Sequence, residues 1–171
     1  GSSNWTPFIE TLTRTVKPGA ESPLSFSEIR IQDGVLTYTD AAKQIETIGD
    51  INLSLAWPSI SRSFAATGRF DWRGARVDGS ISVNDFLAAL SGERSGLKIR
   101  VAAPALKLAF DGAIANKTSL MMDGTLTADS SSLRNALRSI GQAPPGRGGF
   151  GRFALKARAN LVGPSLALTN V

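Results

Sequence analysis

Asp123-Gly124-Thr125-Leu126-Thr127 decides how this chain is read, because its pattern returns along the sequence. A glycine followed by apolar residues two and four positions later occurs at Gly34 (Leu36, Tyr38), Gly68 (Phe70, Trp72), Gly79 (Ile81, Val83) and Gly151 (Phe153, Leu155). Looser copies start at Gly112 (Ile114, then Asn116) and Gly124 (Leu126, then Ala128). Gly34, Gly79 and Gly124 stand 45 residues apart, and Gly68 and Gly112 stand 44 apart. A fixed period in this range marks an architecture of similar stacked units.

Around these markers apolar and polar residues alternate, the mark of a half-buried strand. Ile29, Ile31, Leu36 and Tyr38 line up against Val35, Thr37 and Thr39. Ser80 and Ser82 oppose Ile81 and Val83, and Thr125 and Thr127 oppose Leu126 and Ala128. Each of the 45-spaced strands is followed by a polar stretch. Residues 39–49 read as loop or helix. Residues 84–92 read as a short helix with Asn84 as its cap, and 130–141 as a longer one that Gly141 stops. A strand ending in proline comes next: Ile51, Leu53 and Leu55 to Pro58; Leu97, Ile99 and Val101 to Pro104; Phe153, Leu155, Ala157 and Ala159 to Pro164. A further strand follows at 60–72, 106–115 and 166–171. The unit is strand, short helix or loop, strand, proline turn, strand. It occurs twice in full, and the third copy is cut at Val171, so the natural protein is expected to continue.

Residues 1–23 stand apart. Gly1-Ser2-Ser3 looks like the remnant of an expression tag, and the chain is expected to be an excised fragment. Phe8, Ile9, Leu12 and Val16 have helical spacing after Thr6-Pro7, and Pro18-Gly19 and Pro23 end that helix. Residues 24–171 are expected to form one repeat-built β domain.

Hairpin arithmetic assigns a role to the glycines. A two-residue turn at Arg73-Gly74 sets Trp72 opposite Ala75, Phe70 opposite Val77 and Gly68 opposite Gly79. A three-residue turn at Lys117-Thr118-Ser119 sets Ile114 opposite Met122 and Gly112 opposite Gly124. Read as turns, these glycines would chop the sheet into fragments. Read as cross-strand pairs, Gly68, Gly79, Gly112 and Gly124 let it bend. Only Asp33-Gly34 is expected to be a true Asp-Gly turn. The predicted fold is mainly β: a strongly curled antiparallel sheet, a trough or half-pipe, built from strand–helix–strand–strand repeats of about 45 residues with two or three short helices.

Composition narrows the chemistry. The chain has 171 residues, enough for one domain with a sizeable core. Apolar residues at 42% and charged ones at 19% describe a globular chain. The net charge of +5 is spread along the sequence and reads as solubility. There is no cysteine and no histidine, which removes thiol nucleophiles, zinc–thiolate sites and every triad that needs an imidazole. No apolar run reaches the ~20 residues of a membrane helix. The Asp-Gly aspartates lack calcium-loop spacing and read as turn or bend chemistry. Asp40, Asp50, Asp71 and Asp85 read as surface or cap residues, with no pair marked as an acid/base couple. Gly146-Arg147-Gly148-Gly149-Phe150-Gly151 lacks the Gly-Lys-Ser/Thr of a phosphate loop and reads as a flexible connection.

A family resemblance rests on several stretches. Asp-Gly-Thr-Leu-Thr-Ala-Asp at 123–129, Ser-Leu-Arg at 132–134, Pro-Pro-Gly at 144–146 and Phe-Ala-Leu-Lys-Ala at 153–157 resemble the C-terminal region of the AsmA family. Ile-Arg-Ile-Gln-Asp-Gly-Val-Leu-Thr-Tyr-Thr-Asp at 29–40 resembles that family's opening strand pair. The resemblance implies a periplasmic region of a protein anchored in the inner membrane by one N-terminal helix. It is similar in kind to the bridge-like lipid transfer proteins, and implies a role in outer-membrane assembly and phospholipid passage between membranes. It carries over no catalytic residue, cofactor or metal ligand.

The functional expectation is therefore a non-enzymatic binding module, with no cofactor and no nucleic-acid partner. Leu36, Phe70, Ile81, Leu126 and Phe153 are the expected lining of an apolar groove for a phospholipid or other acyl-chain lipid. Trp57, Phe64, Phe70, Trp72, Phe86, Phe110, Phe150 and Phe153 serve that groove or an ordinary core. The alternative is an adaptor that docks envelope proteins through sheet edges. A carboxylate enzyme such as a glycosidase would need two carboxyls converging in one cleft.

Overall fold

The computed structural model describes residues 26–171 apart from 40–42, 44, 58–62, 145, 147–150 and 164. The expected N-terminal helix and linker lie outside the described residues, as do Asp40 and Phe150. The described chain forms nine strands in one antiparallel sheet, with strand order following chain order from β1 to β9. The strands are β1 (Phe26–Thr39), β2 (Ile45–Trp57), β3 (Phe64–Trp72), β4 (Ala75–Val83), β5 (Ser95–Ala102), β6 (Lys107–Asn116), β7 (Leu120–Ser130), β8 (Phe153–Val162) and β9 (Ser165–Thr169). Two short helices interrupt the meander, α1 (Phe86–Leu90) after β4 and α2 (Leu133–Ser139) after β7. The sheet is not closed, so β1 and β9 are its edges.

Turn chemistry sets the hairpins. Arg73 and Gly74 both take positive φ, 51° and 74°. That is the two-residue turn whose twist matches paired strands. It fixes Trp72↔Ala75, Phe70↔Val77 and Gly68↔Gly79. The loop 117–119 fixes Asn116↔Leu120, Ile114↔Met122 and Gly112↔Gly124. Both registers are those the turn lengths predict.

Asp33-Gly34 is different. It lies inside β1 and makes no hairpin turn. Asp33 has φ 51°, and the β1–β2 register shifts on both sides of Gly34. This is a bulge, an extra residue inserted into a continuing strand. The Asp33 N–H donates to Asn52 Oδ1 at 3.3 Å. β2 carries its own irregularity beside it, with Asp50 at φ 46° and a register shift between Gly49 and Asn52. Upstream, the ambiguous stretch 39–49 resolves in part as strand, since β2 already begins at Ile45.

The helices are shorter than their sequence signals. The cap of α1 is Asp85, one residue after Asn84, and its Oδ1 accepts the Ala88 N–H at 2.9 Å. Ser132 caps α2 by accepting the Asn135 N–H at 3.4 Å. Gly92 and Gly141, both at positive φ, follow the helix ends.

Directly paired residues share a face of the sheet. Registers from β1 to β9 therefore sort the side chains. Ile29, Ile31, Leu53, Leu55, Ile81, Ile99, Leu126 and Leu168 fall on one face, and Arg30, Ser54, Thr67, Ser80, Arg100 and Thr127 on the other. The core sits on the apolar face. Val83, Leu97, Phe110 and Ala159 form it with Ala89 of α1, and Leu97 is only 1% exposed. Trp57 meets Phe64 and Phe86 edge to face at centroid separations of 5.8 and 5.2 Å, which ties α1 to β2 and β3.

Candidate functional site

The apolar face is covered unevenly. Its centre is buried under α1, but its margins are open. Ile29, Ile31, Leu36 and Tyr38 on β1 and Leu166 and Leu168 on β9 are exposed, Leu36 at 49% and Leu166 at 58%. Near the β9 margin lies a hollow of about 300 Å³, lined by Ile99, Val101, Phe110, Met122, Leu126 and Leu161 among others. Of the five expected groove residues, Leu126 lines this hollow. Ile81 packs against the core cluster. Leu36 sits at the β1 margin, and Phe70 and Phe153 are half-buried. All five share the apolar face, but they are not gathered at one point.

The paired glycines are places of close approach. A Cβ on Gly112 or Gly124 would stand 2.6 Å from the Cα of the other and 2.8 Å from Phe110 Cζ. The Phe110 ring thus occupies the space the two absent side chains leave. A Cβ on Gly68 would overlap Leu53 and press on the Asn52 carbonyl at 2.5 Å. Gly79 differs from the other three, because a Cβ there would meet only the Arg100 carbonyl, at 3.9 Å.

A larger hollow, about 940 Å³, crosses eight strands. Its middle line is a row of directly paired residues running from Ile31 and Leu53 through Gly68, Gly79, Val101 and Leu108 to Ala128 and Leu155. Its other lining residues lie one position to either side, so their side chains point to the opposite face. One wall is Arg30, Ser54, Thr67, Ser80, Arg100 and Thr127. The other includes Gln32, Asn52, Arg69, Asp78, Lys107 and Asp129. The apolar-face neighbours two positions along, such as Ile81, Ile99, Phe110 and Ala157, take no part. The furrow therefore opens on the polar face, with backbone as its floor. Sequence reading missed it because it concentrated on the apolar set. The available signal was register: the hairpin arithmetic that pairs Gly68 with Gly79 also pairs Thr67 with Ser80 and Arg69 with Asp78.

Carboxylates on the polar face are held by cations. Arg76 reaches Asp71 at 3.0 Å and Asp50 at 2.5 Å. Arg100 reaches Asp111 at 2.8 Å, and Arg158 reaches Asp123 at 3.3 Å. The hydrogen bond from Arg76 holds the Asp71 carboxyl below its ordinary range. Hydrogen bonds from Arg30 and Ser54 do the same for Glu28. For Asp123, burial pushes upward, but Asn160 and Arg158 outweigh it and the group stays low. These three groups are fixed as anions, the opposite of what a general acid needs. Asp85 is engaged as the cap of α1. Among the described residues, no group of three or more Asp, Glu, His or Cys side chains converges in a way that could hold a metal ion. No described helix is long and apolar enough to cross a membrane.

Two indole N–H groups, of Trp57 and Trp72, are buried without a hydrogen-bond acceptor. Arg73 stacks its guanidinium 5.0 Å from the Trp72 ring and pairs with Glu46 at 2.5 Å, pinning the β3–β4 turn to β2. Comparison with family models, with curated proteins and with solved structures finds no match for the chain.

Proposed function

We propose that this chain is a non-enzymatic module of an AsmA-like protein, the periplasmic part of an inner-membrane-anchored chain. In this reading it offers acyl chains of phospholipids an apolar surface on their way between the inner and outer membranes and so serves outer-membrane assembly. One observation carries the reading: the apolar face continues from strand to strand, from Ile29 and Ile31 on β1 to Leu166 and Leu168 on β9, and is open at both margins. Transfer along the open margins of such a face needs no chemistry, only apolar contact for the acyl chain.

The finer architecture belongs to the same proposal. The sheet is a curled trough of repeated units, and the glycine pairs are where it bends. Support comes from the tight approach of Gly112 and Gly124 under Phe110, and from a core cluster that joins β4, β6 and β8. The order β4–α1–β5–β6 followed by β7–α2–β8–β9 fits the proposed unit.

A second reading, an adaptor for envelope proteins, is favoured by one feature. All five residues of the edge strand β9 are exposed, which leaves a row of backbone donors and acceptors open to strand addition.

Native mass spectrometry of the purified chain, before and after incubation with phospholipid micelles, tests the lipid reading. Bound phospholipid that is lost in the double variant Leu166→Glu, Leu168→Glu is the expected result. No adduct under either condition refutes it. Protein partners captured without lipid, and lost when β9 is blocked by proline, point to the adaptor.

A further inference from the structure

We propose that the furrow on the polar face is a binding site for an extended anionic glycan. The site is independent of the apolar face and of the lipid reading. Its shape fits a chain-like ligand. It touches eight strands in succession, a span of roughly 34 Å at the ~4.8 Å spacing between strands. Its walls bring hydroxyl, amide, guanidinium, ammonium and carboxylate groups, set among alanine methyls and the aliphatic stems of the arginines and lysine that make most of its surface apolar. By register, none of its lining side chains on this face is aromatic or a branched aliphatic. A nucleic-acid strand would need aromatic platforms for its bases. A sugar chain needs the donors and acceptors that are there.

Charge selects the class further. The wall with Ser54, Thr67, Ser80 and Thr127 carries Arg30 and Arg100 and no carboxylate. Glu28 and Asp111, which lie outside the furrow, hold these two guanidiniums at 2.8 Å each and so fix their direction. The opposite wall mixes Arg69 and Lys107 with Asp78 and Asp129. Lys107 makes no ion pair among the described residues, and Arg69 is only 3.9 Å from Asp78, a loose contact. Both cations can turn from the carboxylates across from them, Asp129 for Lys107 and Asp78 for Arg69, to meet an anionic group. The two aspartates can accept hydrogen bonds from sugar hydroxyls, which offsets their repulsion of the ligand's anionic groups, and a polyacid that has no hydroxyls gains no such offset. The ligand favoured is one that carries both, such as a sulfated, phosphorylated or uronic oligosaccharide.

A heparin octasaccharide is the probe, with maltooctaose as the neutral glycan and oligoglutamate as the acidic peptide. Binding is measured by calorimetry at physiological salt. The heparin fragment is expected to bind, maltooctaose not to bind, and oligoglutamate to bind roughly tenfold more weakly. Arg69→Gln and Lys107→Gln should each weaken heparin binding roughly five- to tenfold. Lys98→Gln, on the same face but outside the furrow, and Lys117→Gln, in the β6–β7 loop, remove the same charge and should change it less than about twofold. Equal losses at Lys98 and Lys107 would mean diffuse attraction to a basic protein and overturn the site. Equal affinity for oligoglutamate would reassign the furrow to acidic peptides. Absence of heparin binding overturns the proposal outright and leaves the lipid reading untouched.

Discussion

Replacing Gly124 with alanine should destabilise the fold, and the same change at Gly79 should not. Both glycines lie in ordinary extended backbone on the apolar face, so conformational strain does not separate them. Space does. The new methyl at 124 would overlap the Asp111 carbonyl and approach the Gly112 Cα to 2.6 Å and Phe110 Cζ to 2.8 Å. Two of those three neighbours are backbone, held by ladder bonds on β6, and cannot step aside cheaply. Overpacking of this kind costs about 1–3 kcal/mol, and backbone neighbours place it at the upper end. Lower unfolded-state entropy returns about 0.4–1 kcal/mol. The net loss at Gly124 is about 2 kcal/mol, or roughly 4–8 °C of melting temperature for a chain of this size. At Gly79 the nearest atom is 3.9 Å away, so only the entropy gain remains and the variant should match or exceed the parent. Thermal and urea unfolding of both variants read this directly. If Gly79→Ala falls as far as Gly124→Ala, the crowding under Phe110 is not what demands glycine, and the bending role loses its physical basis.

Other outcomes follow from single contacts. Leu97→Ala, at the most buried side chain, should cost about 2–5 kcal/mol in urea unfolding, since it empties the cluster that joins β4, α1 and β6. Asp85→Ala removes the cap of α1 and should cost about 1 kcal/mol, while Asp85→Asn recovers most of it. Gly74→Ala places a Cβ at φ 74° in the β3–β4 turn and should cost about 1 kcal/mol or more, whereas Gly74→Asn should be tolerated better. Asp71 and Glu28 titrate below their ordinary range when folded, so their contribution is complete above the unfolded-state carboxylate pKa. It is lost as pH falls through the lower folded value. Stability should therefore decline on acidification, and Asp71→Asn should flatten part of that decline in a pH series of melting curves.

Register was legible where a turn of defined length joins two strands. Arg73-Gly74 admits one pairing, and so does the loop 117–119, so the glycine pairs could be placed from sequence. Asp33-Gly34 was misread because the same dipeptide serves a hairpin turn and a bulge. The chain held a clue in its parity. Ile29 and Ile31 are odd and Leu36 and Tyr38 are even, yet all four share a face, which requires an odd number of register slips between them. The cap of α1 was off by one because Asn84 and Asp85 are both good caps, and only the Asp85 side chain reaches Ala88. Alternation places Leu36, Phe70, Ile81, Leu126 and Phe153, the residues expected to line a groove, on one face, as the registers do, but it could not rank their exposure. That ranking depends on where α1 lands. The polar furrow was harder still, since its walls come from eight strands and several of their pairings, such as β4 with β5, are not set by any turn.

The unbroken strand order has a kinetic consequence. Every strand pairs only with its predecessor and successor in the chain, so no pairing has to wait for a distant segment. Assembly can start at any hairpin and grow outward like a zip, one interface at a time, as in linear repeat proteins. Amide exchange should then grade along the molecule, slowest on β5 and β6 around Leu97 and fastest on β9, whose strand has a neighbour on one side and no buried residue. Strands could be shed from the β9 edge with loss of little more than their own interface, while a break at β5 would open the one core cluster that joins β4 and α1 to β6 and β8.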